Sequence, residues 1–408
     1  MFKKYINLFL LIVSVNFGLL AQTPATSYPF IKTSINRIEN DSIYLQDFYD
    51  KLYRLKTQNH GVVRIVHIGD SHIQADMLSG TVRLNMQEQF GNAGRGLIFP
   101  YRVANTNGPS DITSGSNVLW AAKRNVFFMN PIPIGISGIT IETHAENAYI
   151  SESLGNTTGR DYSFNHATVF YQQGPDFYDF LISDKSDVSA FEHDSCYFRN
   201  SVTFNSIIPV NAITIKTFSQ DTCVQKTARL FGVLLQNDSA GVLYNMVGVN
   251  GAEYRHYLAS EYFAEQLSFL QPDLIIVSLG TNEAMNGNFK SDVFYETINQ
   301  TIEAIKQKSP NAKFLLTTPP DSYRWYNRRP YKNINTKKAA ETIIRYCCDN
   351  NIAYWDLNSV MGGYGSMGYW AKYGLSARDY VHFQPKGYKL QGNLLYQALL
   401  HNYKKYTR

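Results

Sequence analysis

The sequence predicts an α/β fold, a doubly wound five-stranded parallel sheet, interrupted by an inserted all-β sandwich. Three observations lead there. Apolar, β-branched runs alternate with helical stripes at both ends of the 408-residue chain. In the middle, helical periodicity gives way to short alternating runs separated by turn residues. Finally, the polar residues able to do chemistry fall at the ends of the apolar runs, the edge at which open α/β sheets bind ligands. A chain of this length can bury one large core or two moderate ones.

Taken in order, Lys3 and Lys4 precede an apolar run from Leu8 to Leu20. That pattern, with Ala21 before a cleavage point, predicts a secretory signal peptide over residues 1–21, too short for a permanent span. The expected compartment is therefore periplasmic or extracellular. Leu45, Phe48, Tyr49, Leu52 and Leu55 give a helical stripe from Ser42 to Lys56. Arg64 to Ile68 reads as a strand that stops at Gly69 and delivers Ser71, and Leu78, Val82 and Met86 mark the helix that follows. Gly94 to Pro100 reads as a loop free to border that serine.

Residues 105–237 carry the inserted sandwich. Its expected strands include Val126-Phe127-Phe128, Ile139–Thr143, Thr168–Tyr171 and Ala212–Thr217. Its aromatics, Trp120, Tyr162, Phe170 and Tyr171 among them, are expected mainly in its core. Residues 22–104 and 238–408 then form one discontinuous α/β domain. Its remaining strands are expected at Val242–Gly248, Leu274–Leu279, Lys313–Thr318 and Ile352–Asp356. The helices between them are expected over Tyr254–Leu270, Val293–Lys308 and Lys337–Asn350, with a last one opening at Pro385.

A formal charge of only +5, two units of which lie in the leader, gives no general attraction to nucleic acid or to an anionic membrane. No stable membrane insertion is expected once the leader is removed. The four cysteines lack metal-ligand spacing, so neither zinc nor another metal or organic cofactor is expected. Export would permit a disulfide, and Cys196 with Cys223 is the pair favoured; Cys347 and Cys348 read as buried thiols on a helix.

Four short motifs converge at one sheet edge if this topology holds. They are Gly69-Asp70-Ser71-His72, Gly248-Val249-Asn250-Gly251-Ala252, Gly280-Thr281-Asn282-Glu283 and Asp379-Tyr380-Val381-His382. A serine hydroxyl needs a base to become a nucleophile, and His382 suits that task. Asp379, three residues earlier, can orient the imidazole and fix its tautomer. An oxyanion formed on an attacked ester needs fixed donors, which the Ser71 N–H, the Gly251 N–H and the Asn282 amide can supply. Taken singly, Gly-Asp-Ser also reads as a capped turn, Asn-Gly as a plain turn and Gly-Thr-Asn-Glu as a helix cap. Four such motifs, in this order and each at a strand end or just before a helix, favour catalysis.

These residues resemble the SGNH/GDSL hydrolases, whose four named residues match Ser71, Gly251, Asn282 and His382, with Asp379 completing the triad. The fuller Gly69–Asp76 phrase, with Gly94-Arg95-Gly96, is similar to a branch of exported bacterial peptidoglycan O-acetylesterases with an inserted carbohydrate-binding-module-like domain. The resemblance implies a flavodoxin-like sheet and a serine esterase removing O-acetyl groups from a carbohydrate polymer, acetylated peptidoglycan above all. Glu283, where many members have Asp, is expected to tie a loop. A polysaccharide O-acyltransferase using the same nucleophile and a non-enzymatic glycan-binding protein are the alternative readings.

Overall fold

The computed structural model describes residues 25–407, apart from positions 42, 128, 130, 158, 184–190, 195–200, 220 and 222. The expected leader and Cys196, hence the disulfide expectation, lie outside the described residues.

Five parallel strands form the central sheet: β1 (Val62–Gly69), β2 (Gly241–Gly248), β3 (Leu274–Ser278), β4 (Lys313–Thr317) and β5 (Ala353–Trp355). Their spatial order is β2-β1-β3-β4-β5, each pair parallel. The reversal of order beside β1 is the switch point of a doubly wound sheet, where ligands bind beyond the strand ends. Ile65, Val66 and Ile68 of β1 are buried in near succession, as a strand covered on both faces requires. Helices Gln46–Gln58, Met77–Phe90 and Pro385–Tyr406 pack together as one group. Tyr254–Leu258, Phe263–Phe269, Ser291–Lys308 and Ile334–Asp349 form the other.

Between β1 and β2 the chain builds two antiparallel sheets. The larger runs Ala121–Arg124, Ile139–Thr143, Ala228–Gln236, Phe164–Tyr171, Ser201–Val210 and Phe191–Asp194 in spatial order. The smaller runs Ile112–Ser116, Tyr149–Leu154, Ala212–Phe218 and Asp179–Ser183. Tyr171 and Phe180 meet edge to face across the two sheets, 5.2 Å between centroids. Trp120, Tyr162, Phe170 and Tyr171 are buried, whereas Phe127 is exposed.

Several local expectations require correction. Gly96–Ile98, within the expected loop, is a strand pairing with Val233–Leu235 of the larger sheet. Arg95 does not border the serine; it is fully buried in an ion cluster. Its guanidinium contacts Asp111 at 2.6 and 3.0 Å and Asp76 at 2.8 Å, and Asp76 also meets Arg83 at 2.7 Å. Two arginines and two aspartates cancel there, with Tyr162 Oη accepting from Arg83 Nε, so the cluster fastens the sandwich to the Met77–Phe90 helix. Val126 and Phe127 lie in a turn, the Phe127 N–H bonding the Arg124 carbonyl. The single helix expected over Tyr254–Leu270 is broken, because the Ser260 hydroxyl donates to the His256 carbonyl and the Tyr262 N–H to that of Ile134. Cys347 is buried, but its neighbour Cys348 is exposed on the Ile334–Asp349 helix.

Candidate active site

All four motifs emerge at the C-terminal edge of the sheet, beside the switch point. β1 ends at Gly69, and Asp70 caps the short helix Ser71–Gln74, its Oδ1 accepting the His72 N–H at 2.9 Å. Ser71 therefore stands on the first helical turn beyond the strand. Its Oγ lies 2.8 Å from His382 Nε2, and His382 Nδ1 lies 2.7 Å from Asp379 Oδ2. The other Asp379 oxygen accepts the N–H groups of Val381 and His382, both at 2.9 Å. One carboxylate thus folds its own turn and orients the imidazole, which explains how a three-residue spacing suffices.

The electrostatics differ sharply between the groups. Partial burial pushes the Asp379 carboxyl up, but hydrogen bonds from the His382 side chain and the two backbone N–H groups outweigh it and hold it below the usual range. Asp70 is fully buried, and burial pushes it up to about 7. His72, buried behind His382 with Nδ1 near Tyr388 Oη at 3.1 Å, is pushed down to about 3 by burial and stays neutral. The two side chains flanking Ser71 thus differ from the His382 and Asp379 side chains, which remain 40% and 47% exposed.

Gly251 takes φ = +84°, a left-handed conformation that suits glycine, and lines the same cleft as Ser71 and His382. Asn282 lines it too, with Nδ2 donating to the Ala252 carbonyl at 2.9 Å and to Asp70 Oδ2 at 3.2 Å. The cleft has a volume of about 530 Å³. Glu283 is a loop tie: Oε1 accepts the Tyr254 N–H at 2.9 Å, and burial raises the carboxyl to about 8.

Sequence reasoning missed three contributors. Gln74 is fully buried between the motifs, its Oε1 accepting the Asn250 N–H at 2.5 Å and its Nε2 donating to the Asn107 carbonyl at 2.6 Å. Gly248 permits this, since a Cβ there would fall 2.4 Å from the Gln74 nitrogen. Asn107, at the start of the expected insert, lines the cleft and accepts from Asn250 Nδ2 at 2.7 Å. Trp325 Nε1 donates to the Asp379 carbonyl at 3.0 Å from a hairpin with no apolar periodicity to announce it. Among the described residues no group of three or more His, Cys, Asp or Glu side chains is placed to hold a metal, and no helix is long and apolar enough to cross a membrane.

Residues 213–390 match the profile of the GDSL-like lipase/acylhydrolase family. No curated protein matches the chain. Among solved structures, a peptidoglycan O-acetylesterase superposes with a TM-score of 0.72 at 19% identity, covering 92% of this chain and 98% of its own. An acetyl xylan esterase matches 39% of this chain and 81% of its own, at 19% identity and a TM-score of 0.32. A family two carbohydrate esterase from Cellvibrio japonicus covers 72% of this chain and 100% of its own at 10% identity and a TM-score of 0.29. The first shares the arrangement of parallel sheet and antiparallel sheets over nearly the whole length; the other two are too distant to add to it. With its switch-point sheet and its profile match to the GDSL-like lipases and acylhydrolases over residues 213–390, the chain is a carboxylic ester hydrolase.

Proposed function

We propose that the protein is an exported serine esterase that removes O-acetyl groups from a carbohydrate polymer, peptidoglycan in particular. The observation that carries this reading is the unbroken chain from Ser71 Oγ through the His382 ring to Asp379, at 2.8 and 2.7 Å, opening on a solvent-exposed cleft. Hydrogen-bonded nucleophile, base and orienting carboxylate are what acyl transfer to serine requires. An open cleft admits an ester projecting from a long chain, which a closed pocket would exclude. Superposition on a peptidoglycan O-acetylesterase over nearly the whole chain supports the choice of polymer.

In this reading Ser71 attacks the acetyl carbonyl as His382 takes its proton, and Asp379 steadies the imidazolium that forms. The N–H groups of Ser71 and Gly251 and the Asn282 amide receive the oxyanion. For Asn282 that role means relinquishing its longer bond, the one to Asp70. His382 then protonates the sugar oxygen as it leaves, and water clears the acetyl-enzyme by the reverse sequence. Acetate release from O-acetylated peptidoglycan and acetylated xylan, measured side by side, tests the reading. Release from peptidoglycan at the higher kcat/KM is expected, and release from neither polymer would refute it.

A further inference from the structure

A surface hairpin is fastened to the Asp379–His382 loop, and neither the profile match nor the triad accounts for it. Tyr323–Tyr326 pairs with Arg329–Lys332, with Tyr323 opposite Lys332, Arg324 opposite Tyr331 and Tyr326 opposite Arg329. Side chains alternate across such a ribbon, so it has two distinct faces. Tyr323 and Trp325 share the inner face. The Tyr323 N–H donates to the Tyr380 carbonyl at 2.9 Å, its ring stacks on that of Tyr380 at 5.4 Å, and Trp325 Nε1 holds the Asp379 carbonyl at 3.0 Å. Arg324, Tyr326, Arg329 and Tyr331 share the outer face, where the two tyrosine rings lie 6.4 Å apart.

Apart from half-buried Arg324, whose guanidinium reaches toward Gly287, that outer face is open to solvent. Tyr326 is 69% exposed and Tyr331 51%, and at the hairpin's rim Trp325 is 52% exposed. Clustered exposed aromatics of this kind mark a surface built to be covered. Arg324, Arg328 and Arg329 have no acidic partner among the described residues, nor does exposed Arg378, the residue before Asp379. Aromatic rings offer faces to the C–H surface of pyranose sugars, and guanidinium groups take carboxylates in bidentate fashion. A neutral polymer would need only the rings.

We propose that the outer face of the 323–332 hairpin is the surface on which a carboxylate-bearing glycan strand, here peptidoglycan, lies while its acetyl group is presented to Ser71. The inference rests on the esterase reading above. Its chemical content is that the rings set the strand's position along the cleft and the arginines select an anionic strand over a neutral one.

Binding to insoluble O-acetylated peptidoglycan and to acetylated xylan, followed by co-sedimentation in a Ser71→Ala background, tests the proposal without turnover. Arg328→Gln/Arg329→Gln is expected to weaken peptidoglycan binding about tenfold, as loss of two guanidinium contacts implies, with little effect on xylan. Tyr326→Ala/Tyr331→Ala is expected to weaken both, each variant being checked for native circular dichroism. Peptidoglycan binding unchanged within about twofold in both variants would overturn the proposal, as would equal losses on xylan in the arginine variant. Equally effective competition by single-stranded DNA would reassign the surface to another polyanion. A protein with Ser71 intact that releases acetate from neither polymer would instead refute the esterase reading, so the two failures are distinguishable.

Discussion

Gln74 and Asn250 are joined across the switch point of the sheet, the Gln74 amide oxygen accepting the Asn250 N–H at 2.5 Å while its nitrogen holds the Asn107 carbonyl at 2.6 Å. A single buried side chain thereby sets the position of the turn that carries Gly251 relative to Ser71. Gln74→Ala should lower kcat on an aryl acetate by roughly one to two orders of magnitude with KM nearly constant, because a displaced oxyanion donor weakens the transition state more than the ground state. A rise in KM at constant kcat would show that Gln74 serves substrate binding instead.

If Asn282 is an oxyanion donor as proposed, Asn282→Ala should reduce kcat roughly 10²–10³-fold. Its bond to Asp70 adds a pH signature. Asp70 is pushed up to about 7 by burial, so below that pH it is neutral and holds the Asn282 amide less tightly. Loss of affinity without loss of turnover would assign Asn282 to capping or substrate contact.

Only an unprotonated imidazole can accept the serine proton, so kcat/KM should fall on acidification if His382 is the base, as proposed. Asp379 is held below the usual carboxylate range, so it stays ionised well into mild acid. Asp379→Asn should therefore lower the rate over the whole profile. A flat rate from mildly alkaline to clearly acidic pH in folded protein would contradict a histidine base.

Glu152 gives a stability prediction far from the site. It is buried in the sandwich, with one oxygen accepting from Ser114 Oγ at 2.8 Å and the other without a partner among the described residues. Burial raises its pKa from 4.5 to about 8. Between those values the folded chain binds more protons than the unfolded one, so this group's contribution to stability declines as pH rises from 4.5 to about 8 and is level beyond. Glu152→Gln should raise Tm at pH above 8 by at least about 2 °C and flatten the decline. Melting curves across that range that are identical for both proteins would show that Glu152 does not carry this burden.

Much of the fold and the site could be read from residue order, for identifiable reasons. β1 to β5 are largely apolar runs, and Ser71, Gly251 and Asn282 sit just past the ends of three of them while Asp379 and His382 precede the last helix, so position along the chain already implied position at the sheet edge. Gln74 was visible only as one letter within a motif, since its role depends on Gly248 letting the backbone approach. The 323–332 hairpin was hidden because its strands are Tyr-Arg-Trp-Tyr and Arg-Pro-Tyr-Lys. Its turn rests on Asn327 and Arg328 at φ of +47° and +60°, without the glycine that usually signals such a turn. The expected loop at Gly94–Pro100 concealed both a strand and the Arg95 ion cluster, because pairing with Val233–Leu235 and Asp111 is long-range. Those contacts also bind the sandwich to the α/β core, so excising it would leave Asp76 and Arg95 short of partners.

Arg95→Ala isolates that last point. It removes the charge shared by Asp76 and Asp111, leaving Asp111 without its arginine, and should cost about 3–5 kcal/mol of stability, as breaking a buried ion network does. Chemical denaturation of the two proteins measures it. A cost below about 1 kcal/mol would mean that water enters and replaces the guanidinium.

The acetyl-enzyme itself offers the most direct measurement. Acid quenching during turnover of an aryl acetate, followed by mass spectrometry of the proteolytic fragments, should find one acetyl group, on the fragment bearing Ser71. It should be absent in folded Ser71→Ala protein, which should retain no more than a few per cent of the wild-type rate. An acetyl group on another residue, or a Ser71→Ala variant that still turns over at a substantial fraction of the wild-type rate, would contradict the assignment of Ser71 as nucleophile.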